Sequence, residues 1–217
     1  MHPANKDTEV VVVSKQEAGV TVVELNRPIK RNALSQNLID ELLHVLRKLD
    51  RDVEVRAIVL TSTGQSPFCA GADIQELAKI STAEAYRVGW LKDLETGFST
   101  LRTPVIAAVR GYAAMEFILT GEPLTAQEME RYGIVNRVVP IGQDVVDEAM
   151  RIATRIATCS APAIGLAKQA IKAAEKTTLE AGLEIERALY YSSFSLEDCK
   201  EGIAAFLQKR PPGFVHE

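Results

Sequence analysis

The stretch FCAGADIQEL, Phe68 to Leu77, holds the residue types best placed to do chemistry. Small side chains at Ala70, Gly71 and Ala72 let another molecule approach the main chain, and the residues from Asp73 onward predict a helix start. Backbone N–H groups at a loop-to-helix start have no partner within the helix and point outward. That suits an anion, or an oxygen on which negative charge develops. A tight turn that needs a glycine explains the same letters, because short motifs recur by chance. Asp73 at the boundary favours the helix dipole. A second polar stretch, NRPIKRNALS at residues 26–35, is rich in cations. Taken alone, its Lys30, like Lys209 near the C-terminus, is a solvated surface charge, since lysine is mostly exposed.

Histidine and cysteine offer no further centre. His2 and His216 fall at ends expected to be loose and His44 on the polar side of a helix, so no metal or triad histidine is expected. Cys69, Cys159 and Cys199 are odd in number, widely spaced, without a zinc pattern, and fit a reducing compartment. Of 217 residues, 47% are hydrophobic and 25% charged, which allows one sizeable core, or one domain plus an appendage. A net charge of −4 with no basic run argues against nucleic acid as a partner. No apolar run approaches the roughly 18 residues of a membrane span. The N-terminal MHPANKDTEVVVV has neither a signal pattern nor a transit-peptide composition, and FVHE is no receptor-read address. The expected location is therefore cytoplasmic, or a mitochondrial or peroxisomal matrix if a presequence lies outside this sequence.

The elements that must position these residues follow from periodicity. Val10–Val13 and Val20–Leu25 flank KQEAG as a hairpin. Ser35 can cap a helix carrying Leu38, Ile39, Leu42, Leu43, Leu46 and Leu49 at helical spacing. AIVLT, within 53–61, and PVIAAV, from Pro104, are wholly apolar runs suited to strands buried on both faces. One helix is expected from Ala83 to about Thr100, striped by Ala85, Val88, Leu91, Leu94 and Phe98. Thr125 and Glu128 form a capping box for a short helix that Gly133 can close, and Val135–Val139 is expected as a last strand. Beyond Asp144 only helices are expected, at about 145–158, 161–174, 178–193 and 196–208, the last capped by Ser195 with Asp198. The layout is an α/β core to about residue 140, residues 1–140, then a helical region, 141–217.

FCAGADIQEL, preceded by ELNRPIKRNALS and followed by TPVIAAVRGYA, resembles the enoyl-CoA hydratase/isomerase (crotonase) family. LTGEPLTAQEMERYGIVNRVVP, AKQAIKAA and EDCKEGIAAFLQKRPPGF extend the likeness in order over nearly the whole chain. The resemblance implies a ClpP/crotonase-type α/β core of ββα units with a helical C-terminal region that makes trimers or hexamers. It implies an acyl-CoA thioester as substrate, with coenzyme A part of the substrate and no separate cofactor or metal. The ancestral reaction would be hydration of 2-enoyl-CoA to 3-hydroxyacyl-CoA in fatty-acid oxidation. By position, Ala72 would supply one backbone N–H of the oxyanion hole. Ala70, Asp73, Ile74 and Gln75 would line the pantetheine and adenine path, and Lys30, Arg31 and Ala33 would lie near the nucleotide end. Phe206 and Lys209 match the helix that covers the CoA phosphates, where cations give charge-assisted hydrogen bonds.

The same comparison exposes a gap. In family members the strand ending in RGYA runs into a glycine triplet and a glutamate, and a second glutamate follows in a later loop. Here Ala113 passes directly to Ala114-Met115-Glu116, resembling the next helix downstream, so several tens of residues are absent and the core is incomplete. With them go both catalytic carboxylates and the second oxyanion donor. Glu116, Glu122 and Asp73 receive no catalytic role. Uncovering core side chains costs about 1.5–3 kcal/mol each, against a net stability of about 5–15 kcal/mol, so the chain is expected to be marginal or covered by a partner. Three readings stay open: an enzyme of the family missing an internal segment in this version of the sequence, a non-catalytic acyl-CoA-binding or oligomer-forming subunit, and a degraded gene product.

Overall fold

Val11–Lys15 (β1) and Val20–Leu25 (β2) pair antiparallel, so the expected hairpin forms. The computed structural model describes residues 9–15, 17–64, 67–88, 91–109 and 125–217. Ala57–Ser62 (β3) lies parallel to β2, and Val105–Ala107 (β4) parallel to β3, giving the order β1-β2-β3-β4. All six residues of β3 are buried, the apolar Ala57–Leu60 and the polar Thr61 and Ser62 alike, as a strand between two layers requires. Alternation then sorts the sheet's side chains. Val23, Leu25, Ile58 and Leu60 face one layer, and Val20, Val22, Ala57 and Val59 the other.

Helix Gln36–Arg51 (α1) covers the first face. Ser35 caps it by accepting the Leu38 N–H, and the predicted leucine and isoleucine stripe is buried throughout. The second face is roofed by Val145–Ala157 (α6), whose Ala149, Ala153 and Ala157 recur every four residues. Their short side chains let the helix axis lie close to the valines beneath. The other helices are Ile74–Leu77 (α2), Thr82–Val88 (α3), Lys92–Thr100 (α4), Ala126–Arg131 (α5), Ala161–Lys176 (α7), Leu179–Ser193 (α8) and Glu197–Gln208 (α9). The capping box of Thr125 and Glu128 on α5 forms as expected.

Four expectations need correction. The single helix over 83–100 is two, α3 and α4, because Leu91 takes a left-handed backbone (φ 64) that an α-helix cannot pass through. PVIAAV is not fully buried: β4 is short, pairs with β3, and leaves Ala107 exposed. Val135–Val139 is no strand, and the Val138 N–H goes to the Glu130 carboxylate rather than to a sheet neighbour. Ser195 does not cap α9; its hydroxyl donates to the Ser192 carbonyl, and Leu196 stands at the N-cap. The junction at Ala113–Ala114, with Glu116 and Glu122, lies outside the described residues, as does His2.

His216 is also not loose. Its Nδ1 accepts the Ala161 N–H at 3.2 Å, and its own N–H donates to Asp198. Buried Asp198 additionally takes the Val215 N–H at 2.7 Å. Glu201 accepts a two-pronged bond from Arg210 and the Gly213 N–H. Arg210 first, then that N–H, pull the Glu201 carboxyl from 4.5 to about 2. Burial pushes Asp198 up, but the Ser160 hydroxyl and the tail N–H groups outweigh it, leaving it below the usual range.

A carboxyl depressed by folding stabilises the attached tail above its free value and ceases to do so as pH falls through the folded one. Residues 210–217 are therefore expected to detach as pH drops from about 4.5 toward about 2. Loss of amide-exchange protection at Val215 and His216, relative to the intrinsic rate at each pH, would show it over that window, and Glu201→Gln should flatten the response. Protection that does not change down to pH 2 rules the clasp out.

Candidate functional site

The FCAGAD stretch leaves the C-terminal end of β3 and is knitted to the loop that leaves β2. Leu34 and Ala72 form a parallel bridge: the Leu34 N–H donates to Gly71 O at 2.8 Å, and the Asp73 N–H donates to Leu34 O at 2.9 Å. In a parallel bridge the middle residue's own N–H points away from its partner. The Ala72 N–H is thus directed outward from a half-buried position, and no described residue accepts it. Gly71 holds φ +91, a conformation that a side chain would strain, while the space where a Cβ would sit is open. Main chain here is approachable, as the small residues predict.

Several predicted residues meet at this place. The Ala70 N–H donates to Arg31 O at 3.0 Å, and Lys30 Nζ donates to the Gln75 side chain at 3.3 Å. Ala33 precedes the bridge residue Leu34, and its carbonyl is held by Arg27 at 2.6 Å. Ile74 begins α2 with 77% of its surface exposed, an apolar side chain left open beside the outward amide. Asp73 has a different occupation from lining a path. It caps α2 by accepting the Gln75 N–H at 3.0 Å, and it pairs with the Arg27 guanidinium at 3.2 Å. Burial raises its pKa, but these two contacts prevail and hold it below the usual carboxylate range. Burial pushes the Cys69 thiol up, although its sulfur accepts the Gly71 N–H. Phe206 and Lys209 stand at the far end of α9, both exposed, with no hydrogen bond or ion pair to these loops.

Two functional residues in NRPIKRNALS carry no assignment from sequence. Arg27 and Asn32 stitch the loops together from within. Asn32 is fully buried, accepts the Arg27 N–H at 2.7 Å and donates to Pro67 O at 2.9 Å. The available signal was asparagine's tolerance of left-handed backbone, which Asn32 uses at φ 54.

Chemically, the place offers an outward amide, cations at Lys30 and Arg31 and an open apolar side chain. Among the described residues it offers no uncommitted carboxylate, since Asp73 serves Arg27 and Glu76 accepts the Gln36 N–H at 2.8 Å. A separate cleft of about 730 Å³, lined by residues such as Arg56, Pro104 and Gly165, lies at the opposite end of β3 and β4 and shares no residue with this site. Among the described residues no cluster could hold a metal ion, and no helix is long and apolar enough to cross a membrane.

A mixed sheet covered by helices on both faces, with an outward amide in the loop beyond the C-terminal end of β3, defines an α/β class of fold. The chain belongs to the enoyl-CoA hydratase/isomerase family, whose model matches residues 15–114 and again 113–217. It is 34% identical over 257 residues to a probable enoyl-CoA hydratase of Mycobacterium tuberculosis, covering 96% of this chain and 98% of that protein. It is 33% identical to the mitochondrial enoyl-CoA hydratase of Pongo abelii, over 95% of this chain and 88% of that one. A crystal structure of an enoyl-CoA hydratase subunit I from Geobacillus kaustophilus superposes with a TM-score of 0.88 at 32% identity, covering 97% and 100% of the two chains. The fold is therefore the crotonase fold. The Mycobacterium alignment, at 257 residues, exceeds the 217 of this chain by 40.

Proposed function

We propose that the chain binds an acyl-CoA thioester across the two loops, with the Ala72 N–H donating to the thioester oxygen, and that as it stands it does not hydrate 2-enoyl-CoA. The observation that carries this reading is the half-buried amide of Ala72, aimed outward from a bridge that fixes it on both sides. Polarising the carbonyl is half of the family's chemistry. The other half moves protons: a carboxylate deprotonates water and an acid delivers a proton to the α-carbon. The described carboxylates beside Ala72, Asp73 and Glu76, are engaged elsewhere, and in the family the acid–base pair belongs to the segment that this sequence skips at Ala113–Ala114. Two features support the skip: the family model matches in two stretches that meet there, and the relative's alignment exceeds the chain in length.

Lys30, Arg31, Ala33, Ala70, Ile74 and Gln75 would contact the pantetheine and nucleotide. Phe206 and Lys209 would reach the phosphates. Asp73 holds the loop rather than the ligand. A second role, as an oligomer-forming subunit, is favoured by one observation: α7 and α8 pack on each other yet bury no residue, leaving Ile171, Leu179, Leu183 and Phe194 exposed. Such a face suits further copies, as a trimer or hexamer.

Titration of the protein with crotonyl-CoA is expected to show saturable binding without hydration. Intact mass on the same sample should give the 23.7 kDa of this chain, confirming that no internal segment is present. Turnover by a species of that mass, or no binding at all, would contradict the proposal.

A further inference from the structure

We infer that Arg27 is the positioning residue that aims the Ala72 amide, acting on it from both sides through one planar guanidinium. The inference rests on the proposed binding of a thioester oxygen at Ala72. Arg27 Nη1 donates to Ala33 O at 2.6 Å and to Ser35 Oγ at 2.9 Å, and Nη2 donates to Asp73 Oδ2 at 3.2 Å. Ala33 and Ser35 flank Leu34, whose N–H and carbonyl clamp Gly71 and Asp73 on either side of Ala72. Both chain segments that define the amide's direction are thus gripped by the same fork. Asn32 fixes where the fork starts by accepting the Arg27 N–H.

A buried ion pair of this kind is poor evidence for stability, since a well-packed apolar pair often serves as well. What it supplies here is geometry. The two side chains are 19% and 9% exposed, so neither is free to swing into water. Lysine is a single point of charge and cannot hold three acceptors in one plane as arginine does.

The test uses crotonyl-CoA labelled with carbon-13 at its carbonyl, bound to the full chain and followed by difference infrared spectroscopy. With the native protein the carbonyl stretch should move to lower frequency on binding, as a hydrogen bond to its oxygen requires. Arg27→Met is expected to lose most of that displacement and about fivefold in affinity, the scale of one hydrogen bond. Arg27→Lys should fall between. Lys30→Met removes a charge from the same loop, and should weaken binding while keeping the displacement.

The signal is read per bound ligand, so partial unfolding cannot imitate its loss. If Arg27→Met does not fold, Asp73→Asn takes its place with the same expectation. A native displacement that persists in Arg27→Met, or in Asp73→Asn, overturns the inference while leaving the proposed binding intact. Binding without any native displacement overturns both.

Discussion

Inserting between Ala113 and Ala114 the block proposed to be missing there is expected to raise crotonyl-CoA hydration by at least about 10⁴-fold over the chain as it stands. The estimate follows from what the block would bring. Each proton-transfer group contributes about 10²–10⁴-fold, and one oxyanion donor about 10²–10³-fold. Groups that act as a unit do not multiply, so the lower end is the safer expectation. The corresponding segment of the Mycobacterium tuberculosis relative is a suitable donor, since that protein aligns along nearly the whole of this chain. Steady-state kcat/KM before and after insertion gives the comparison. Mutating the two introduced glutamates to glutamine should remove the proton-transfer share of the gain, leaving at most the roughly 10²–10³-fold of the added oxyanion donor, while thioester binding persists. A hydration rate for the uninterrupted 217-residue chain comparable to that of its relative would show that some other group moves the protons.

Asn32→Ala should cost about 3–5 kcal/mol of stability, a large part of the roughly 5–15 kcal/mol available to a domain. Asn32 is completely buried and its amide spans the two loops. Truncation leaves the Arg27 N–H and the Pro67 carbonyl without partners, each costing about 1–3 kcal/mol. Alanine must also hold the left-handed backbone that asparagine tolerates, at about 1 kcal/mol or more. Asn32→Gly keeps the backbone freedom and loses both hydrogen bonds, so the difference between the two variants isolates strain from desolvation. Denaturant melts measure both. Thioester affinity should fall with Asn32→Ala even below the melting transition, because the register of Leu34 against Ala72 depends on the same stitch. Equal melts for native protein and Asn32→Ala would mean that water replaces the side chain.

Elements built on strong periodicity were legible from the residues: the stripe of α1, the apolar run that begins β3, the hairpin, and four helices after Asp144. Their signals are local and repeat over several turns or residues. What periodicity missed depends on single residues under tertiary control. Leu91 breaks a helix that its neighbours would continue, through a backbone angle no leucine advertises. Val135–Val139 has the composition of a strand, but its Val138 N–H is taken by the Glu130 side chain. The site divides in the same way. Small residues marked Gly71 and Ala72 as approachable, and Lys30 and Gln75, which family likeness assigned to one ligand, lie in hydrogen-bond reach of each other. Arg27 and Asn32 went unassigned because a buried polar residue in a cationic loop looks like its solvated neighbours. Asp73 read as a ligand contact for the converse reason, since its partner lies 46 positions away in the chain.

The alanine row of α6 bears on the proposed loss of a segment at Ala113–Ala114. Ala149, Ala153 and Ala157 belong to sequence downstream of Ala113–Ala114, yet they rest on Val20, Val22 and Val59, which lie upstream. The two portions of the polypeptide are keyed to each other directly, whatever joins them. The entropy of closing a connection changes only slowly with its length, so an excision between keyed portions can spare their mutual fit while erasing the chemistry the connection carried. On the proposed reading, one excision removes the reaction and leaves the shape.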